Sequence, residues 1–228
     1  EDVFATVMWT DNGNNMSGVQ GWSPTEDHYM TACYCAASME YNGWGSLFVS
    51  WECYNSFEDG DRRRAASMVA LGETNPWTGQ TIGANGAPNV KTGSEYMPNI
   101  SSLKYWRANC DYWTTINQPF TMHLLRYAAI LLNYAECSFQ TGDETSGWDA
   151  IRQTRERAWG NHEVSLSDAE YPIPMQTETV AVPDAKTYYT KYKAEKGYSS
   201  DTWMVAVNME RRHEFNAEFS LFYDLKRT

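Results

Sequence analysis

The chain has no run of eighteen apolar residues, the least that a membrane-crossing helix needs. Its longest apolar stretch, residues 127–135, is broken by Asn133. No basic-then-apolar segment opens the sequence. Positive charge is scarce: 18 Lys and Arg stand against 29 Asp and Glu, for a net charge of −11. Such a balance argues against nucleic acid as a partner, because phosphates require a basic face, and against electrostatic docking on anionic lipid. Cysteines are few and oddly placed. Cys33, Cys35, Cys53, Cys110 and Cys137 contain one C-x-C but no C-x-x-C, so neither a zinc knuckle nor a thioredoxin-type pair is present. The odd count leaves at least one thiol unpaired within the chain, and the cysteines read as buried, inert thiols.

Catalytic patterns are missing as well. There is no G-x-S-x-G, no H-E-x-x-H and no G-x-x-x-x-G-K. His213-Glu214 lacks a second His, and Gly79, Gly83 and Gly86 do not follow a strand at dinucleotide-binding spacing. The four histidines, 28, 123, 162 and 213, are scattered. No metal, cofactor or catalytic residue is therefore expected. Residues 11–15, DNGNN, have some of a calcium loop's residue types but lack the Glu that closes one at the twelfth position, and read as an Asn/Gly turn. Glycoside hydrolysis needs two carboxylates placed across a bond in space, which a sequence does not display. A hydrolase is thus unsupported rather than excluded.

What is abundant is aromatic surface: 10 Trp and 15 Tyr among 228 residues. These rings are amphipathic. They either fill a core or grip a ligand that is itself half apolar, as a sugar ring is. With 42% hydrophobic and 21% charged residues the composition is that of a folded chain.

Residues 1–10 alternate as a short strand, with Val3, Ala5, Val7 and Trp9 on one face, and residues 11–24 are turn-rich loop. Residues 46–58 predict a short helix sharing Leu47, Trp51, Tyr54 and Phe57 on one face. Residues 72–100 read as extended loop, of the kind that often binds. From residue 120 the periodicity predicts a helix, with Leu124, Ala128, Leu131 and Ala135 in a stripe widened by Leu125 and Leu132, stopped at Gly142. A second helix carries Trp148, Ile151, Arg155 and Ala158 and stops at Gly160. The two form an αα-hairpin, the unit of tetratricopeptide-like packing, without a second copy that would make a repeat. Prolines 172, 174 and 183 make the next segment irregular. A helix is then expected up to Gly197, and a last one, N-capped by Asp201, through to the end, with Val205, Met209, Phe215, Phe219 and Phe222 on one face. Glu210, Arg211, Arg212, Glu214 and Glu218, with Asp224, Lys226 and Arg227 beyond them, read as an ion network that fixes helix position, since adjacent arginines among carboxylates are readily paired.

Three stretches, in this order, resemble the SusD/RagB family. NGWG at 42–45 followed by SFEDGDRR at 56–63 resembles the family's GWG…FE-x-x-D-x-R. LLRYAAILLNYAECSFQTGD at 124–143 followed by AIRQTRERAWG at 150–160 resembles RYAE-x-LL-x-YAEA and N-x-(V/I)R-x-RAG. NMERRHEFNAEFSLFYDLKRT at 208–228 resembles ERR-x-EL-x-x-EG-x-R-x-x-DL-x-R. Two positions depart from that last signature: Phe219 stands where the family has Gly, and Leu221 lies where its Arg falls.

The resemblance implies a mainly α, SusD-like fold of tetratricopeptide-like αα-hairpin helices with long irregular loops and a few short strands. It implies that residues 1–228 are the C-terminal part of such a domain, with 1–119 a loop-rich ligand-facing region and 120–228 a helical scaffold. The opening residues read as the middle of a domain and the last stop just after a helix. A longer protein is therefore expected, and the isolated part is expected to be poorly stable unless a partner supplies the rest.

Such proteins bind without bond chemistry. They sit on the cell surface at the bacterial outer membrane, through a lipid anchor that here would lie outside residues 1–228. They hold a glycan, or sometimes a peptide, over a SusC/RagA-type TonB-dependent transporter. If this chain does the same, its ligand-facing candidates are the loop aromatics Trp22, Tyr41, Trp44, Trp77 and Tyr96, with the amides Asn42, Asn75 and Asn85 near them. Trp44 also reads as a packing residue of the GWG motif. A transporter-docking scaffold with no ligand of its own and an unrecognised hydrolase are the rival readings.

Overall fold

The computed structural model describes residues 2–6, 49–70, 72–74, 100–104, 122–160, 180–216 and 218. The chain is mainly α-helical with a few short strands. It divides into two units. One comprises residues 1–3, 57–64 and 125–228, and the other residues 4–56 and 65–124. Strand β1 (Asp2–Thr6) pairs with β4 (Met122–Arg126).

In the second unit, α1 (Trp51–Tyr54) is a single turn. Ser50 caps it by accepting a hydrogen bond from the Cys53 amide at 3.1 Å, which satisfies one of the donors a helix start leaves open. The expected helix over 46–58 is shortened from both ends, by this cap and by Asn55, which closes the turn. Its face differs too: Cys53 is buried and Trp51 is exposed. Helix α2 (Arg63–Ser67) leads into β2 (Met68–Ala70), which pairs antiparallel with β3 (Ile100–Ser102) in the register Met68↔Ser102, Val69↔Ser101, Ala70↔Ile100. All three residues of β2 are buried. Val49, Ile100 and Leu103 are buried too, and the Val49 and Leu103 amides donate to the carbonyls of Ile100 and Ser67.

Among its described residues the first unit holds four longer helices: α3 (Tyr127–Gln140), α4 (Glu144–Ala158), α5 (Ala185–Lys196) and α6 (Thr202–Glu214). Helices α3 and α4 are the expected hairpin. The link turns at Gly142, φ +84°, a left-handed conformation that glycine adopts without strain. Asp143 then caps α4 through the Ser146 amide at 3.1 Å. The helices press together where Gly147 meets Phe139: a Cβ on Gly147 would lie 2.7 Å from two atoms of the Phe139 ring. That ring packs edge-on to Trp148 and stacks on Trp203 of α6. Around it Ala135, Ala150, Ile151, Tyr189, Val205, Ala206 and Met209 form one apolar core.

Helix α5 starts at Asp184, which accepts from the Thr187 amide at 2.8 Å, and ends at Gly197 in the left-handed conformation. Asp201 occupies the N-cap position of α6 as expected, but its side chain makes no capping bond.

Two boundaries differ from the sequence reading. Within the helix expected from residue 120, Met122–Arg126 is strand, with an extended backbone at Arg126 (φ −106°, ψ 156°), and helix begins only at Tyr127. The stretch MHLLR is too short for its apolar spacing to choose between helix and strand, and pairing with β1 decides in favour of the strand. Leu131 is partly buried, and the buried stripe of α3 runs through Ala128, Leu132, Ala135 and Phe139. Helix α6 stops at Glu214. The buried Asn216 folds back and donates from Nδ2 to the His213 carbonyl at 3.1 Å, and Phe215 turns onto Ala128 and Leu132. Phe219 and Phe222, expected on the same helix face, lie outside the described residues.

Candidate functional site

Three sets of side chains stand out: a buried ion network, a cleft beside it and an exposed aromatic turn. The network lies in the helical unit and draws on every stretch that carried the resemblance. Glu210 of α6 is fully buried. Its carboxylate receives Arg155 of α4 (3.0 Å), Arg63 (2.8 Å) and the Tyr189 hydroxyl of α5 (2.7 Å). Burial opposes ionisation of Glu210, but Arg63 and Arg155 overcome it and hold the group at about 2.

Arg155 also donates to both oxygens of Glu58, at 2.5 and 3.0 Å, and to the Pro183 carbonyl at 3.2 Å, with its guanidinium over the Trp159 ring. Arg63 pairs with Asp61 at 2.6 Å and reaches Glu214 at 3.5 Å. Glu214, one turn beyond Glu210, receives Arg126 at 2.7 Å as well as Arg157. Arg126 also reaches Glu218 at 2.7 Å. Burial pushes Glu58 and Asp61 up in spite of their arginines. His213, stacked on Phe57, is held at about 3 by burial and by the neighbouring arginines, so it is neutral in the fold.

The sequence places Arg211 and Arg212 among carboxylates of their own segment. Arg211 points to α3, donating to Glu136 (2.6 Å) and Asn133 (2.8 Å). Arg212 is half-buried. The cations that meet Glu210 and Glu214 come from elsewhere: Arg63, Arg126, Arg155 and Arg157. The quoted motifs contain all four, yet spacing along the chain carried no sign that they converge.

The cleft, about 240 Å³, is lined by Arg126, Tyr127, Ala128, Leu131, Gln153, Thr154 and Arg157. Both of its arginines are engaged by Glu214. It therefore presents a mostly apolar floor rather than a cationic pocket.

The exposed turn is α1. Trp51 is 46% exposed and meets Tyr54 edge-on at 5.4 Å between ring centroids. The Tyr54 hydroxyl donates to Glu73 Oε1, and Glu73 Oε2 accepts from the Ala70 amide at 2.8 Å. Sequence reasoning placed Trp51 on one helical face with Leu47, Tyr54 and Phe57; in the fold the turn buries Cys53 and leaves Trp51 in the open.

The candidate ligand residues Trp22, Tyr41, Trp44, Trp77, Tyr96, Asn42, Asn75 and Asn85 all lie outside the described residues. So do Cys33, Cys35 and Cys110. Cys53 is buried, as expected, whereas Cys137, expected to be buried, is exposed on α3 because the core takes its neighbours Ser138 and Phe139 instead. Among the described residues no group of three His, Cys, Asp or Glu could hold a metal ion, and no helix is long and apolar enough to cross a membrane.

No curated protein and no solved structure matches the chain. A family model described as the SusD family matches residues 2–228, and the chain therefore belongs to the SusD family.

Proposed function

We propose that the chain captures a glycan at the bacterial cell surface and delivers it to a SusC-type TonB-dependent transporter. The observation that carries this reading is the family match, which spans nearly the whole chain. At the level of the family, SusD proteins are nutrient-binding rather than enzymatic, with an outer-membrane role in glycan utilisation. The abundance of Trp and Tyr supports a sugar as ligand, because aromatic faces suit the C–H face of a pyranose. The buried charges support a scaffold role for the helical unit. Glu210 and Glu214 are each met by several arginines, and this mutual engagement suits holding helices rather than turning over a substrate. A lipid anchor outside residues 1–228 would hold the protein at the outer membrane.

Titration of the purified protein with a panel of soluble polysaccharides, read by calorimetry, tests the reading. Saturable binding to at least one glycan is expected. No binding to any glycan, together with saturable binding of peptides, would replace it by peptide capture. Co-purification with the transporter in the absence of any ligand binding would replace it by a docking scaffold.

A further inference from the structure

The sequence places every ligand-facing candidate in loops and residue 51 on the face of a short helix shared with Leu47, Tyr54 and Phe57. The structure puts an indole in the open at that position, on a short turn that is firmly held. Ser50 caps the turn, Cys53 anchors it in the interior, and Tyr54 packs on Trp51 with interplanar angle 74° while its hydroxyl is fixed by Glu73. The 46% exposure of Trp51 therefore belongs to a braced ring, not to a loose chain end. Other described tryptophans are committed to packing: Trp159 is 1% exposed, and Trp148 and Trp203 lie against the helical core.

Four residues on, Asn55 is exposed, and at that spacing it lies on the same side of the turn as Trp51. Glu52 is exposed beside them. An apolar face flanked by an amide that both donates and accepts complements a pyranose: carbon-bound hydrogens on one side, hydroxyls at the rim. A protein-binding hot spot instead sits within a contiguous patch that excludes water around it. Among the described residues of this unit Trp51 is the one exposed large hydrophobic side chain, which favours a single sugar ring as occupant.

We propose that Trp51 is a stacking platform for a sugar ring and that Asn55 hydrogen-bonds a hydroxyl of the same ring. The proposal rests on the glycan-capture reading and adds a contact to it. The test uses the whole chain as wild type, Trp51→Ala, Trp51→Phe, Asn55→Ala and, as a control on the helical unit, Tyr198→Ala. Each is run in native affinity gels containing amylopectin, laminarin, xylan or galactomannan, with circular dichroism to verify folding. Wild type should be retarded by at least one of these. Trp51→Ala should weaken that binding by roughly tenfold or more, the scale of one lost stacking contact. Trp51→Phe should retain much of the affinity but lose most of the sugar-induced change in tryptophan emission. Asn55→Ala should weaken binding several-fold, and Tyr198→Ala should leave it unchanged.

A folded Trp51→Ala that binds within twofold of wild type overturns the platform and leaves glycan capture standing. If Trp51→Ala fails to fold, a Trp51→Phe that keeps the full emission change overturns the platform by itself. A wild type retarded by none of the four overturns both readings.

Discussion

Arg155 and Glu58, 97 positions apart, face each other as fork to fork, with two hydrogen bonds of 2.5 and 3.0 Å. The same guanidinium reaches Glu210, so one side chain ties the FEDGD stretch to helices α4 and α6. Breaking this arrangement from one side strands a buried charge. Glu210→Gln removes the carboxylate that answers both Arg63 and Arg155 and is expected to cost about 3–5 kcal/mol. The exposed Arg152, paired with Asp149 and Glu156 on the surface of α4, should lose less than about 1 kcal/mol on conversion to Ala. Urea denaturation of both variants against wild type measures the contrast.

His213 makes stability depend on acid well above the carboxylate range. Its folded value of about 3 lies below the ordinary 6.5, so between those values the unfolded chain binds the extra proton. Its contribution is fully present above pH 6.5 and is lost as pH falls toward 3, at up to about 1.4 kcal/mol per pH unit. Glu210, held at about 2, behaves alike, with its contribution lost as pH falls from about 4.5 toward 2. Glu58 and Asp61 act in the opposite sense, because their folded values are raised and protonation favours the fold. Comparing wild type with His213→Gln isolates the histidine. The stability difference between the two should shift against wild type as pH drops from 7 to 5, in denaturation midpoints taken across that range.

Gly147 marks the closest approach within the hairpin. Gly147→Ala puts a methyl group 2.7 Å from the Phe139 ring, inside contact distance. The Ala gain in helix propensity is about 1 kcal/mol at most, and the clash should exceed it, for a net loss of about 1–3 kcal/mol. Gly147→Ala combined with Phe139→Leu should recover part of that loss in thermal melts.

Helices α5 and α6 both begin at an Asp, but only one of the two caps through its side chain. Asp184→Ala should cost about 1 kcal/mol, since it removes the bond to the Thr187 amide. Asp201→Ala should cost less than about 0.5 kcal/mol. Paired melts of the two variants check this.

The hairpin, its glycine stops and the α5 C-cap were legible because they rest on local rules of periodicity and of glycine in a left-handed turn. The strand at 122–126 was hidden, since so short a stretch carries no decisive period and the choice lies with a partner strand more than a hundred positions away. The end of α6 was hidden for a related reason: Asn216 stops it through its own side chain, in a stretch whose apolar spacing continues. Of the ion network, Glu210 and Glu214 were visible as charges at helical spacing. Their partners were not, because which arginine reaches which carboxylate is decided by packing.

Several pairs in that network are also far apart along the chain. Arg155 to Glu58 spans 97 positions, Arg126 to Glu218 spans 92, and Arg155 to Glu210 spans 55. Contacts of this kind form late, since the loops they close must be ordered before any attraction rewards the closure. The α3–α4 hairpin, whose contacts are local, is suited to form early. The ionic contacts between distant segments are therefore expected to close after the hairpin, when α6 packs. Such a centre would act as a latch for the finished fold rather than the seed from which it grows.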